Sequence, residues 1–152
     1  MFTLALAQMN PVWEYHNDNY ATAAKMAREA AEKGADLLIL PEMFATGFSM
    51  NAPVVSEDAP YATRAFLQQI AFEHRINVIG GYSQRTDSDK GHNVADAVGR
   101  SGRLLGTYVK SHVFSFSKEE ALHSNGNGAS IINVDGVNTG MFICYDLRFP
   151  EL

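Results

Sequence analysis

The sequence is poor in cysteine, in basic residues and in long hydrophobic runs. Its single cysteine, Cys144, excludes an internal disulfide and suits a reducing compartment. There are 12 Lys and Arg against 17 Asp and Glu, and the net charge of −5 includes no basic cluster. Nucleic acid and anionic membrane surfaces are therefore disfavoured as partners. No apolar run approaches the ~20 residues that span a bilayer, and residues 1–7 lack the features of a signal peptide. We expect a cytoplasmic protein that is not bound to membranes.

The spacing of apolar residues predicts two helices and at least seven strands in one domain. Helical spacing covers residues 17–33, capped by Asn17 or Asp18, and residues 58–75, capped by Asp58. The order β, α, β, α and then five strands favours an α/β domain with a mixed sheet and both helices on one face. Strand patterns cover residues 2–9, 35–42, 76–83, 93–99, 104–109, 129–134 and 137–143, with long irregular stretches at 45–58 and 111–128.

Three predicted strands end on residues with useful chemistry: Glu42, Lys110 and Cys144. Ligands gather at the carboxyl ends of strands in α/β sheets, so these side chains are expected to converge in one crevice. Each also has an ordinary structural use. A lone cysteine is often a small buried hydrophobe, and most Glu and Lys side chains are surface residues.

Cys144 lies where an apolar run, residues 140–143, gives way to a possible helix. Asp146 would accept hydrogen bonds from N–H groups of the first turn. A thiol at the positive end of a helix dipole is favoured as the thiolate, the nucleophilic form. The local pattern thus makes Cys144 a candidate nucleophile.

A carboxylate, an ammonium and a thiol form a coherent catalytic set. The carboxylate can take the thiol proton as general base and return it to a leaving amine as general acid. The ammonium favours the thiolate and can stabilise the oxyanion of a tetrahedral intermediate. Such a set suits acyl transfer from a C–N bond through a thioester.

Three motifs carry a family resemblance: LPEMF (40–44), YVKSHVF (108–114) and ICYDLRFPEL (143–152). In this order they resemble the Glu, Lys and Cys motifs of the nitrilase superfamily of carbon–nitrogen hydrolases. Residues 7–11 and Asn93 are similar to further family landmarks. The resemblance implies an α/β fold, the four-layer αββα sandwich, of which residues 1–152 would be the N-terminal part. We therefore expect one domain over 1–152 with its C-terminal part missing, because the sequence stops at Leu152 as a helix begins.

The resemblance also implies the roles of individual residues. Glu42 would be the general base and acid, Lys110 the oxyanion stabiliser and Cys144 the nucleophile, with no cofactor and no metal. A second glutamate that positions groups in the site would be Glu119, with Glu120 as the alternative. The family's domains pair across their sheet flanks, which implies a homodimer or a higher homo-oligomer.

The residues that follow Cys144 indicate which branch of the superfamily the chain resembles. Residues 144–149 resemble the amidase branch that includes omega-amidases, which hydrolyse the terminal amide of 2-oxo dicarboxylic acid monoamides. The implied partner is therefore a small amide that carries a carboxylate. Arg148 is a candidate to bind that carboxylate, although a structural ion pair is an equal use for it, and Tyr145 is placed with it as a substrate-binding or positioning residue.

Two other functions compete with amide hydrolysis. The chain could be a catalytically idle, truncated domain that acts only in binding or association, with exposed apolar surface. A metalloenzyme using His92, His112 and His123 is the weaker alternative, since no HxH, HxxxH or HExxH spacing is present.

Overall fold

The computed structural model describes residues 1–152 as four helices, eight strands and a final 3-10 turn. In chain order the elements are β1 (Leu4–Leu6), α1 (His16–Glu32), β2 (Leu37–Ile39), α2 (Ala52–Val55), β3 (Ser56–Glu57), α3 (Ala62–His74), β4 (Asn77–Gln84), β5 (His92–Val98), β6 (Leu104–Val109), α4 (Glu119–Leu122), β7 (Ser130–Val134), β8 (Val137–Met141) and the turn Cys144–Arg148. None of the helices is of a length and hydrophobicity that would cross a membrane.

Six strands form one mixed sheet in the order β1-β2-β4-β5-β6, with β3 also paired to β4. Strands β1, β2 and β4 run parallel, whereas β4, β5 and β6 are antiparallel neighbours. β2 pairs with residues 77–79 of β4 and β3 pairs with residues 83–84. The chain between β2 and β3, which carries Glu42, therefore passes over the middle of β4. The predicted mixed sheet is confirmed.

Helices α1 and α3 cover one face of this sheet, as predicted. Small residues of α1, including Ala23 and Ala27, and larger ones of α3, including Leu67 and Ile70, share a buried core with Leu38 of β2 and Val78 of β4. The alanines let α1 lie close to the strands, since they add no bulk at the contact. The helical layer thus holds β2 and β4 from one side.

The β7–β8 hairpin covers the opposite face. Its buried residues Ile132, Val134 and Met141 pack on Leu37, Ile79, Ala95, Ala97 and Tyr108 of the six-stranded sheet. Asp135 and Gly136, both with positive φ, form its two-residue turn, and Asp-Gly is a sequence that favours this type of hairpin turn. Helices, sheet and second sheet are three layers of the expected αββα sandwich, and the α/β fold class is confirmed.

The predicted helix caps are wrong. Tyr15 precedes α1, and Asn19, rather than Asn17 or Asp18, binds the incoming chain through Val12 and the Ala45 carbonyl. α3 begins after Tyr61, and Glu57 accepts a hydrogen bond from its Thr63 N–H (2.9 Å) while Asp58 pairs with Arg85. No side chain caps α1, whereas at α3 a glutamate from the preceding strand β3 takes the place of the predicted cap Asp58.

Candidate active site

Glu42 is carried by a tight turn that follows β2 and rests on β4. Met43 has a positive φ of 47°, and the Phe44 N–H donates to the Gly81 carbonyl at 3.2 Å. A Cβ on Gly81 would lie 3.0 Å from the Met43 nitrogen and 3.1 Å from the Glu42 Cα. Glycine at 81 is therefore needed for the close approach that places the Glu42 carboxylate.

Lys110 directly follows β6, and its side chain extends to the Glu42 carboxylate, which follows β2. Its side chain is completely buried, and Nζ lies 2.7 Å from Glu42 Oε1 and 2.9 Å from Glu119 Oε2. Burial would lower the pKa of Lys110, but the attraction of the Glu42 and Glu119 carboxylates outweighs it and raises that pKa. Lys110 therefore stays protonated between two carboxylates.

Glu119, and not Glu120, is the glutamate that the structure brings to this centre. It is fully buried on α4 and accepts hydrogen bonds from Lys110, from Asn93 (2.8 Å) and from the Phe114 N–H (2.6 Å). Glu120 is exposed, and its carbonyl contacts Lys90. Of the two candidates, Glu119 therefore lies beside Lys110 and Glu120 lies at the surface.

Asn93 joins the two carboxylates. Its Nδ2 donates to Glu42 Oε1 at 2.7 Å and to Glu119 Oε1 at 2.8 Å. Because both partners only accept, the orientation of the amide is defined, and Oδ1 is left buried with no partner. Asn93 thus fixes the spacing of Glu42 and Glu119 around Lys110.

Cys144 opens the turn after β8 in a strained backbone conformation. Its φ is 45°, in the left-handed region that non-glycine residues rarely adopt. Asp146 holds this turn: its carboxylate accepts hydrogen bonds from Tyr108 Oη (2.7 Å), from the His112 N–H (2.8 Å) and from the Ile143 N–H (3.1 Å). The same carboxylate therefore ties the Lys110 segment to the Cys144 turn.

The prediction that a helix dipole favours the thiolate is wrong. Cys144–Arg148 is a 3-10 turn, too short for a helix dipole, and the Asp146 carboxylate does not cap an α-helix. Although Cys144 is exposed, partial desolvation of its thiol by the surrounding side chains is the largest cause that raises its pKa, and the neighbouring Glu42 carboxylate raises that pKa further against the opposing effect of Lys110. The resting cysteine is therefore a thiol.

The structure brings Glu42 and Cys144 together at one small cavity. The cavity has a volume of about 100 Å³, and its remaining wall is mainly apolar, formed by Ile39, Leu40, Ile79, Gly81, Ala95, Phe142 and Ile143. Cys144 itself is exposed at the mouth of the site. A substrate can therefore reach the sulfur from solvent and the Glu42 carboxylate from the same side.

Tyr145 and Arg148 lie on the same turn but in different surroundings. The Tyr145 ring packs edge-on against Phe114 and Phe149, with ring centroids 5.1 and 5.3 Å apart. Arg148 is exposed and forms no ion pair, so a structural salt bridge does not occupy it. Neither side chain forms a hydrogen bond or an ion pair with Glu42 or Lys110.

The histidines are dispersed rather than grouped. His112 stacks on Phe149 and contacts Asp146, whereas His123 is buried beside Ser83. No group of three or more His, Cys, Asp or Glu side chains is arranged to hold a metal ion.

The sequence did not indicate the roles of Gly81 and His123, the second of which was considered only as a metal ligand. Gly81 belongs to the pair Gly80-Gly81 inside a predicted strand, and glycine in a strand is a signal of close backbone approach. His123 had no such signal, because its partners Ser83 and Glu119 are defined only by the fold.

Comparison with known proteins gives consistent matches over the whole chain. The sequence model described as carbon-nitrogen hydrolase matches residues 3–152. An omega-amidase of Xenopus laevis is 35% identical over 99% of the chain, and a 2-oxoglutaramate amidase of Bacillus subtilis is 30% identical over 81% of it. A CN-hydrolase superfamily protein of Xanthomonas campestris with an arsenic adduct in its active site superposes with a TM-score of 0.89, at 28% identity over 97% of the chain. The chain spans 57%, 48% and 55% of these proteins, respectively.

Proposed function

The chain belongs to the carbon–nitrogen hydrolase family, and from this premise we propose that it hydrolyses a small amide through a thioester on Cys144. The observation that carries the proposal is the arrangement of Glu42. Its carboxylate lies 2.7 Å from the buried Lys110 ammonium and lines the same cavity as Cys144. Glu42 thus links the buried Lys110 ammonium to the cavity that Cys144 lines, which supports roles as base, cation and nucleophile for these three residues.

The reaction follows from the charges of these groups. Glu42 takes the proton of the Cys144 thiol as Sγ attacks the amide carbon, and Lys110 stabilises the oxyanion that forms on the carbonyl oxygen. The protonated Glu42 then gives its proton to the departing nitrogen, ammonia leaves and the thioester remains. Glu42 next deprotonates a water that attacks the thioester, which releases the carboxylic acid and restores the thiol.

The raised pKa of Cys144 gives Glu42 its role as base. Because the resting sulfur is protonated, attack requires transfer of its proton to a neighbouring base. Glu119 hydrogen-bonds Lys110, and Asn93 hydrogen-bonds both Glu42 and Glu119, so these two residues hold Lys110 and Glu42 in position. We therefore assign them as positioning residues.

The amide of a 2-oxo acid is the substrate that the relatives support, since they include omega-amidases and a 2-oxoglutaramate amidase. Such a substrate carries a carboxylate. Arg148 is exposed and makes no ion pair, so its guanidinium is available for this group, and the ring of Tyr145 flanks the same turn. A homodimer or higher homo-oligomer in the cytoplasm remains our prediction for the assembled protein.

Release of ammonia tests the proposal. The 152-residue chain, incubated with 2-oxoglutaramate, should produce ammonia, and Cys144→Ala should abolish it while leaving the circular dichroism spectrum unchanged. Arg148→Met should raise KM for this anionic amide about tenfold or more, as expected for loss of a charge-assisted contact, with a smaller effect on an uncharged amide. Arg28→Met, on the exposed face of α1, is the matched control.

A domain that only associates is the alternative, and exposed apolar side chains favour it. Leu4 and Leu6 on the open edge of β1 are 54% and 76% exposed, and Leu147 beside the site is 79% exposed. A folded chain that releases no ammonia from a panel of amides and nitriles, but forms concentration-dependent oligomers, would favour this alternative over hydrolysis.

A further inference from the structure

A buried line of polar side chains runs behind the site, away from the cavity. His123 follows α4 and is 1% exposed. Its Nε2 lies 2.7 Å from Ser83 Oγ on β4, and Ser83 Oγ lies 3.0 Å from Ser56 Oγ on β3. The line therefore connects two strands of the sheet to the residue that ends α4.

The other nitrogen of His123 faces Glu119. Nδ1 lies 4.0 Å from Glu119 Oε1 and is buried without a hydrogen-bond partner. A distance of 4.0 Å is an electrostatic contact and not a hydrogen bond, although contacts of this kind often shorten when substrate binds. A buried unpaired nitrogen is costly unless it gains a partner, and Glu119 is the acceptor at hand.

Charge decides which tautomer is present. A ring with its proton on Nε2 would turn the Nδ1 lone pair towards the Glu119 carboxylate, which is repulsive. A ring with its proton on Nδ1 turns an N–H towards that carboxylate, while Nε2 accepts from the Ser83 hydroxyl and Ser83 accepts from Ser56. Every donor in the line then points towards Glu119.

The imidazole is neutral at physiological pH. Burial lowers the pKa of His123 to about 4, with the positive charge of Lys110 and the ring of His92 acting in the same direction and Glu119 opposing them. These three are the titratable groups that face the ring. His123 therefore supplies a directed dipole and adds no charge to the centre of Glu42, Lys110 and Glu119.

We propose that His123 is a positioning residue whose Nδ1–H, oriented by Ser83, holds the Glu119 carboxylate and through it the Lys110 ammonium beside the reacting atoms. The inference rests on the proposed function for its effect on turnover. Its effect on Lys110 does not require turnover, because Lys110 is also the cation that opposes the rise in the Cys144 pKa.

Substitution of His123 by Asn or by Gln distinguishes the positioning of Glu119 from a role in packing alone. The Asn nitrogen is two bonds from Cβ, as is Nδ1 of histidine, so His123→Asn keeps a donor towards Glu119 and loses the contact with Ser83. The Gln nitrogen is three bonds from Cβ, as is Nε2, so His123→Gln keeps the contact with Ser83 and loses the donor towards Glu119. His74→Asn, at the end of α3, is the matched control.

The measurements are the pH dependence of Cys144 alkylation by iodoacetamide, the unfolding midpoint, and kcat and KM for amide hydrolysis. We expect His123→Gln to lower kcat about tenfold with KM within about twofold, because the Glu119 carboxylate loses the donor that faces it and that would tighten on it when substrate binds. The alkylation midpoint should move to higher pH as Lys110 loses its fixed position. His123→Asn should stay within about threefold of wild-type kcat, with an unchanged alkylation midpoint.

The reverse order, with Gln retaining function and Asn losing it, would show that His123 only holds Ser83 and would overturn the proposal. Equal behaviour of both variants in alkylation would also overturn it. Alkylation of Cys144 does not depend on turnover. A wild-type chain that hydrolyses no amide would therefore refute the proposed function, while the alkylation rates would still test the role of His123. A variant with a lowered unfolding midpoint is compared at a temperature where it is folded.

Discussion

Lys110 balances two carboxylates with one charge. Its ammonium is completely buried and contacts both Glu42 and Glu119, while Asn93 adds donors to the same oxygens. An interior with two anions and one cation is stable only while each carboxylate keeps its hydrogen bonds. The stability of the residues around the site therefore depends on the residue that would stabilise the oxyanion.

Replacement of Lys110 by Met should destabilise the fold strongly. The substitution leaves Glu42 and Glu119 facing each other without a cation, and breaking a buried ion pair costs about 3–5 kcal/mol. Urea unfolding measures the change, with the exposed Lys118→Met as the control in the same segment. Adding Glu119→Gln to Lys110→Met should recover part of the loss. Equal stability of the Lys110 and Lys118 variants would contradict this account.

Cys144 should react with iodoacetamide only as pH rises above the usual range of a thiol. The thiolate is the reactive form, and burial together with Glu42 disfavours it by raising the pKa. Glu42→Gln removes the negative charge, so the midpoint of the rate should move to lower pH by about one unit. Cys144 is the single cysteine, so the rate reports on it alone. With Glu73→Gln on α3 as control, an unmoved or higher midpoint in Glu42→Gln would refute the role given to Glu42.

The turn after β2 depends on a glycine in a different element. Gly81 lies in the centre of β4, and its missing side chain makes room for the backbone of Glu42 and Met43. The position of Glu42 is thus determined by the contact between two strands as much as by its own turn.

Gly81→Ala should therefore impair the site more than it impairs the fold. The added Cβ would force the turn of Glu42 outward, at a cost of about 1–3 kcal/mol for an overpacked position, and ammonia release should fall at least tenfold. Gly140→Ala on β8, where a Cβ would meet only Phe142 at 3.6 Å, is the matched control. Equal activity of the two variants would contradict this prediction, because it would show that the turn accommodates the added Cβ without displacing Glu42.

Elements with a repeated apolar face could be predicted from the sequence, as could the meeting of Glu42 and Lys110 at strand ends, but the hydrogen bonds that support the site could not. The alanines of α1, the hairpin β5–β6 and the turn at Asp135 each contain their own signal. The binding of Asp146 to Tyr108 and His112, and of Glu57 to α3, involves partners that only the fold brings near. The left-handed Cys144 follows from those contacts and has no signature in residue type.

At the scale of the molecule, the six-stranded sheet and the two-stranded sheet differ in how many of their strands are paired on both sides. β4 and β5 each have paired neighbours on both sides, whereas β7 and β8 pair only with each other. No backbone-to-backbone hydrogen bond joins that hairpin to the six-stranded sheet. It is held by side-chain packing, by the Asp146 contacts and by the bonds of Asp135 with Asn77 and Arg100. Cys144, the proposed nucleophile, thus directly follows the sheet whose outer strand edges are unpaired.

Hydrogen exchange should reveal this difference. Amides of β7 and β8 are expected to exchange by local opening, faster than those of β4 and β5, since a two-stranded sheet with open edges opens at a lower free energy. Mass spectrometry of peptides from each strand, across a series of low urea concentrations, measures both rates. Ile132→Ala should accelerate exchange in the hairpin alone, whereas equal protection of both sheets would show one cooperative unit.

The packing of the hairpin by side chains alone has a practical consequence under the proposed function. The loop that precedes β7 contains Gly128, whose φ is 113° and which has open space around its Cα. A polypeptide divided there would place the general base and the oxyanion-binding cation on one fragment and the nucleophile on the other. Neither fragment alone would form a thioester, and docking of the two would restore the chemistry. The two fragments could therefore serve as a split reporter, in which release of ammonia measures the association of the two polypeptides fused to them.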